Sequence, residues 1–372
     1  MQVSPFMSTT NQLNEEELQL QDIESEVKDQ ESSPTEYDIT IIPADYTLWG
    51  LYDLWKNKEI IIPQFQRKYV WSIKQASRLI ESFMMGLPIP PVFFFVQPED
   101  QKNLVIDGMQ RLHSIFYFFE GYFGEADQAG KRSEFKLTGI NEQSRWYGKK
   151  FIDFTEGDQR KLKNTVLRSV LVKQLHPESD LTSIYHIFER LNTGGTSLQD
   201  QEIRDCIYEG HLSELISKLN KYPNWRKVLG KLKFDTRKKD EQLILRYMSL
   251  FHNGSAYKKP MKDFLSKFME THRNPVPDFI SVEEKRFQDT CDLLIQKMGE
   301  RPFNPKGALN PSIFDAIFVA FAKNLTKCPS DIKERFEKLL TDTMFQKYTS
   351  DATTDSEIVQ SRLKLAEDTL FR

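Results

Sequence analysis

Asn103-Leu104-Val105-Ile106-Asp107-Gly108-Met109-Gln110-Arg111-Leu112-His113 is the stretch around which the rest of the chain is organised. Its apolar run, Leu104 to Ile106, predicts a short buried strand, because branched side chains fit a pleated, half-covered surface. From Gly108 to about Phe123 the spacing changes. Leu112, Ile115, Phe116 and Phe119 recur at i, i+3, i+4 and i+7, one face of a helix. Gly108 thus falls on a strand-to-helix turn, where free backbone N–H groups and the helix dipole favour an anion. Asp107 ends the strand and Arg111 stands one turn into the helix. A carboxylate for a metal or a sugar hydroxyl, an anion-binding turn and a guanidinium for phosphate are the parts of a nucleotide site. The plainer alternative makes Asp107 a helix N-cap and Arg111 a surface arginine.

Upstream, ordered structure is expected to begin near Ile39-Thr40-Ile41-Ile42-Pro43. Tyr46 to Lys58 carries Leu48, Leu51 and Leu54 and predicts a short helix; Ile60-Ile61-Ile62-Pro63 predicts a strand entering a turn. Gln64-Phe65-Gln66-Arg67-Lys68-Tyr69-Val70-Trp71 then interleaves polar and cationic side chains with aromatics. Ser72 is the expected N-cap of a helix over 74–85, and Gly86 its stop. Val92 to Val96 reads as a central strand, lying beside the Asp107 strand or forming a hairpin with it.

Downstream, 134–138, 151–154 and 165–172 can all be strands. Leu181 to Leu191 is an amphipathic helix, with Ile184, Tyr185, Phe188 and Leu191 on its face. It runs into Asn192-Thr193-Gly194-Gly195, an abrupt stop with glycines free to take positive φ. Thr196-Ser197-Leu198-Gln199 resembles a capping box for the next helix, which carries Gln201-Glu202-Ile203-Arg204. Beyond that the periodicity is helical, in blocks near 211–220, 240–252, 260–270, 281–298, 312–325, 330–348 and 356–369. The domain plan is an acidic leader over 1–38, a mixed α/β domain over 39–205 and an all-α domain over 206–372.

Composition narrows the chemistry. Over 372 residues, 39% are hydrophobic and 27 are Phe, ample for sizeable cores. No run of about 18 apolar residues predicts a membrane span, and the polar, acidic start lacks a signal-peptide pattern. Cys206, Cys291 and Cys328 lie far apart, with no spacing for zinc or a disulfide framework, which points to a reducing cytoplasm. The net charge of −3 conceals an asymmetry. Residues 1–38 hold ten acids against Lys28 alone, a charge of −9, so the remaining body carries +6. Such a leader reads most simply as a solvated, disordered segment.

Three polar clusters fall at element ends: Gln66-Arg67, Asp107 to Arg111, and Arg190 to Gly195 with Glu202 and Arg204 beyond. Four converging arginines and an Asn-Thr-Gly-Gly turn would neutralise a triphosphate. Neither a Walker A loop nor a dinucleotide fingerprint is present. The scattered histidines, of which only His113 lies near these clusters, form no metal pair, and there is no serine-hydrolase elbow. His113 is expected to be structural. Tyr69-Val70-Trp71 is expected to pack on the following helix rather than stack a base.

Read together, three phrases resemble the N-terminal domain of GmrSD-type type IV restriction enzymes: Ile62 to Trp71, Asp107 to Leu112, and Phe188 to Gly195 with Gln201-Glu202-Ile203-Arg204. The helical remainder, with its closing Ser350 to Asp355, resembles the family too. The resemblance implies an α+β chain, with a ParB/sulfiredoxin-like mixed α/β domain followed by an all-α domain. It also implies nucleoside-triphosphate hydrolysis in phage defence, with Mg²⁺ as cofactor. Carried over by residue, Asp107, Gln110 and Arg111 become the hydrolysis motif, with Asp107 as metal ligand. Gln66, Arg67, Gly108, Arg190, Asn192, Thr193, Gly194, Gly195 and Arg204 become the nucleotide-binding wall. Met109 departs from the family's frequent Gln, and no His-Asn-His nuclease grouping is expected in this chain. Three readings follow: an NTPase coupled to DNA sensing, a nucleotide- or duplex-DNA-binding switch without turnover, or a scaffold for a separately encoded effector. Oligomeric state is left open.

Overall fold

The computed structural model describes residues 37–62, 69–98, 100–124, 126, 130–176, 182–191, 199–303 and 307–372. The disorder expected of the acidic leader falls almost wholly on residues outside this set. The chain divides into two compact units, meeting in sequence between Leu198 and Gln199.

The first unit is mixed α/β. In chain order it contains β1 (Asp38–Thr47), α1 (Leu48–Lys56), β2 (Ile60–Ile61), α2 (Ile73–Met85), β3 (Val92–Val96), β4 (Asn103–Asp107) and α3 (Met109–Glu120). Then follow β5 (Tyr122–Phe123), β6 (Ser133–Glu134), α4 (Glu156–Asn164), β7 (Val166–His176) and α5 (Thr182–Leu191). Five strands form one sheet in the order β1-β7-β3-β4-β2. β1 runs antiparallel to β7, β7 parallel to β3, β3 antiparallel to β4, and β4 parallel to β2. β3 and β4 are thus a hairpin inside the sheet, covered on both faces: Val92, Phe94 and Val105 belong to the main core cluster, while Leu104 and Ile106, pointing to the opposite face, are buried as well.

Local chemistry places the helices. Thr47 Oγ1 accepts from the Gly50 N–H at the start of α1 (3.0 Å). Ser72 and Gln75 make a reciprocal capping box on α2, and Gly86 ends that helix at φ +73°. The expected strand at 151–154 is instead a 3₁₀ turn, because the Asp153 carboxylate accepts from the Lys150 N–H (3.0 Å) and closes the chain on itself. Of 134–138, only Glu134 is in a strand, paired with Tyr122. Phe135 and Leu137 are nevertheless fully buried, so their alternation marks core contact and not a longer ladder.

The second unit is helical: α6 (Asp200–Ile207), α7 (His211–Asn220), α8 (Pro223–Leu229), α9 (Lys239–Asn253), α10 (Met261–Thr271), α11 (Pro277–Met298), α12 (Pro311–Lys323), α13 (Ile332–Thr341), α14 (Thr343–Ser350) and α15 (Ser356–Phe371). The architecture is the one expected, a mixed α/β region followed by an essentially all-α one. α12 is buried from Pro311 to Ala322; α9, α11 and α15 pack on it. The block expected at 330–348 splits because Asp342 caps a new helix, accepting from the Phe345 N–H (2.8 Å). α8, with proline in its first turn, escaped the periodicity because seven residues are too short to show it. Cys206 and Cys291 are buried, and burial pushes both thiols up, as suits small hydrophobes. Among the described residues, no helix is long and apolar enough to cross a membrane.

Candidate nucleotide site at the strand-to-helix turn

β4 delivers Asp107 to the end of a central strand, and Gly108 turns the chain into α3. Gly108 sits at φ +99°, a conformation that disfavours any L side chain, and a Cβ there would stand 2.4 Å from Val92 Cγ1. The glycine therefore serves two needs, a left-handed turn and close approach of β3. No side chain among the described residues caps the start of α3, so Asp107 is not the N-cap that the plainer alternative supposed.

Asp107 instead faces Arg111. Arg111 Nη2 donates to Asp107 Oδ2 at 2.8 Å, and Nη1 donates to the Pro90 carbonyl at 2.5 Å. The two side chains differ in exposure: Arg111 keeps 13% and Asp107 38%. A guanidinium held by a carboxylate and a carbonyl is fixed in direction, while the carboxylate still reaches solvent. Neither Pro90 nor Val92 was legible as part of the site, since their role comes from strand pairing across the sheet.

Gln110 ties the preceding phrase to this turn. Its Oε1 accepts from the backbone N–H groups of Val70 (3.1 Å) and Trp71 (3.2 Å). Its Nε2 is buried and has no hydrogen-bond partner among the described residues. One turn on, Ser114 Oγ meets the Tyr69 hydroxyl at 2.8 Å. The Tyr69 ring packs edge-on against Tyr117 and Phe123, and burial raises its hydroxyl to about 12. His113 lies against the Tyr69 and Tyr117 rings, and loss of hydration lowers its imidazole to about 4, so it is neutral near pH 7. Tyr69, Trp71 and His113 are packing residues. Met109 is buried in the core, so the departure at that position points away from any ligand.

Arg190 stands exposed in the last turn of α5, a helix whose Ile184 and Phe188 are buried and which packs against β4. Ser183 of α5 donates to Gln174 near the end of β7, anchoring the helix start. Gln66 and Arg67, and the turn Asn192, Thr193, Gly194 and Gly195, lie outside the described residues. Arg204 belongs to the helical unit. Its buried guanidinium donates to Ser266 Oγ (3.2 Å), the Lys262 carbonyl (3.3 Å) and Gln201 Oε1 (3.4 Å), which locks α6 to α10. Among the described residues no group of three or more His, Cys, Asp or Glu is placed to hold a metal ion.

Residues 51–209, fewer than half of the chain, match the family model described as GmrSD restriction endonuclease, N-terminal domain. The match bears out the family resemblance of the α/β region and links it to restriction systems. A solved structure described as the C2221 form of Pnob8-like ParB-N domain aligns over 91% of this chain and 100% of that one. The identity there is 8% and the TM-score 0.22, a likeness too slight to argue from. No curated protein matches the sequence.

Proposed function

We propose that the turn from Asp107 to Arg111 binds the phosphates of a nucleoside triphosphate, and that the domain hydrolyses it within a restriction or phage-defence system. The observation that supports this most is the Asp107–Arg111 pair, half-open to solvent on a glycine-made strand-to-helix turn. Phosphate oxygens are the natural competitors for a pre-aimed guanidinium, and the uncapped start of α3 adds backbone donors. When phosphate takes Arg111, Asp107 is released. A single carboxylate suits Mg²⁺ that arrives on a nucleotide, since this ion uses one or two carboxylates together with substrate phosphates. When bound, the ion would offset charge on the phosphate oxygens. Asp107 would hold it or polarise water. Arg111 and Arg190, with Arg67, would balance the transferred charge. Gln66 and the Asn192–Gly195 turn would complete the wall. Gln110 acts by positioning, as its carbonyl oxygen is committed to the backbone of Val70 and Trp71.

That commitment favours one second reading, nucleotide binding without turnover, in which the ligand resets the 69–71 segment through Gln110. Coupling to duplex DNA or to a separately encoded effector belongs to either version. The test is phosphate release from the purified chain with ATP, GTP, CTP and UTP plus Mg²⁺, with and without duplex DNA, beside Asp107→Asn. Turnover lost in the variant supports hydrolysis. Silence accompanied by a nucleotide-dependent rise in Tm supports the binding switch. Silence without a shift removes the nucleotide from the proposal.

A further inference from the structure

The acidic leader finds no use in the site above, and the helical unit carries a surface that fits it. The loop between α8 and α9 reads Gly230-Lys231-Leu232-Lys233-Phe234-Asp235. Leu232 is 84% and Phe234 52% exposed, beside exposed Lys233 and half-buried Lys231. Two large apolar groups so open to water on a floppy loop would fold inward; here the backbone prevents it. Buried Arg226 donates to the carbonyls of Lys231 (3.0 Å) and Lys233, and its other end is held by Asn220 Oδ1 and Asp240 Oδ2, both at 2.8 Å. Asp235 Oδ1 accepts from the Arg237 N–H at 2.8 Å and the Lys239 N–H at 3.2 Å. The guanidinium of Arg226 also lies 5.0 Å from the Phe234 ring. At Gly230, φ +69°, the Arg301 side chain occupies the space a Cβ would need. Lys227 and Arg301 are exposed beside the loop, together with Glu300. The loop's own carboxylate, Asp235, is buried and turned to backbone amides. The result is a rigid apolar pair ringed by cations.

We infer that this loop is the docking surface for the chain's own leader, residues 1–36. The leader is complementary in both respects. It holds Glu15, Glu16, Glu17, Asp22, Glu24 and Glu26, interleaved with Leu13, Leu18, Leu20, Ile23 and Val27. Acidic side chains meet Lys231, Lys233, Lys227 and Arg301, while an apolar residue covers Leu232 and Phe234. Thirty-six residues reach roughly 120 Å when extended, and tethering gives the leader a high effective concentration over any free polyanion.

Lys28 is the single tryptic site in residues 1–36, and it makes the test direct. Limited trypsinolysis of the full-length chain follows cleavage after Lys28 by mass. When opening is fast relative to cutting, the rate follows the open population. It should rise about tenfold in Lys231→Glu/Lys233→Glu and in Leu232→Ala/Phe234→Ala. A control pair, Lys333→Glu/Lys338→Glu on α13, should leave it unchanged. Equal rates in all four proteins overturn the docking, and an equal rise in the control reduces it to general charge attraction. A change from dimer to monomer in Leu232→Ala/Phe234→Ala, with Lys28 cleavage unaltered, gives the face to a second copy and overturns it as well.

Discussion

Two Asp–Arg contacts, one in each unit, use the same chemistry in opposite settings. At the strand-to-helix turn, Asp107 and Arg111 meet at 2.8 Å with the carboxylate well exposed. In the helical unit, Asp315 takes Nε and Nη2 of Arg246 (3.0 and 2.6 Å) and Nη2 of Arg362 (3.1 Å), with all three side chains buried. A buried carboxylate shared by two arginines is an architectural joint of α9, α12 and α15, because losing it strands two charges in the core. A pair whose carboxylate is open to solvent contributes less to stability than a buried one, so its geometry is freer to be used. Exposure is what separates the pair that holds the fold from the pair proposed to take a ligand.

The largest effect is expected at the joint. Asp315→Ala should destabilise the helical unit by about 3–5 kcal/mol, read as a lowered urea midpoint or loss of soluble protein. A cost no greater than that of Asp107→Ala would erase the contrast.

The units should also respond to pH with opposite sign. His113, lowered to about 4 by burial, takes up a proton more readily in the unfolded chain, whose value is near 6.5. Stability of the α/β unit is then full above pH 6.5 and lost as pH falls towards 4, by up to about 3 kcal/mol. In the helical unit, burial and then the nearby Asp205 raise Glu241 to about 7, against the opposing pull of Lys238. That carboxyl stabilises the protonated protein, and its contribution is lost as pH rises from the ordinary value of 4.5 through 7. Unfolding followed separately in each unit from pH 4 to 8 would show slopes of opposite direction. His113→Phe should flatten the first and Glu241→Gln the second.

Much of this was legible from residue order, and the limits have physical reasons. The change from apolar run to helical spacing at Gly108 located the turn, and Ser72 and Gly86 bounded α2, because caps and glycines act locally. Pro90 and Val92 were not legible, since they reach Arg111 and Gly108 only through the pairing of β3 with β4. Gln110 carried a signal, an amide on a helix start, yet its partners Val70 and Trp71 lie forty residues away. Arg204 misled for the converse reason: a polar phrase beside a glycine turn looks like a site until burial shows it pinned to Ser266 and Lys262.

Gly108→Ala comes next in size. Its backbone at φ +99° and the 2.4 Å approach to Val92 both resist a methyl group, at a cost of about 1–3 kcal/mol. The expected result is a folded α/β unit of lowered Tm in which β3 has shifted from the turn. An unchanged Tm would mean that β3 and the turn are not tightly coupled, and would remove the reason Arg111 is aimed.

The smallest effect on stability, and the one on which the comparison turns, belongs to Asp107→Asn. An amide oxygen can still accept from Arg111 Nη2, so the fold loses only an exposed ionic contribution, within about 1 kcal/mol. What the variant removes is the charge offered to solvent. If that charge is there for a nucleotide-borne cation, Mg²⁺-dependent thermal shifts with nucleoside triphosphate vanish while Tm without ligand barely moves. A fall of several kcal/mol in the unliganded protein would instead make Asp107 a joint like Asp315. The two contacts would then differ in burial and in nothing that matters to function.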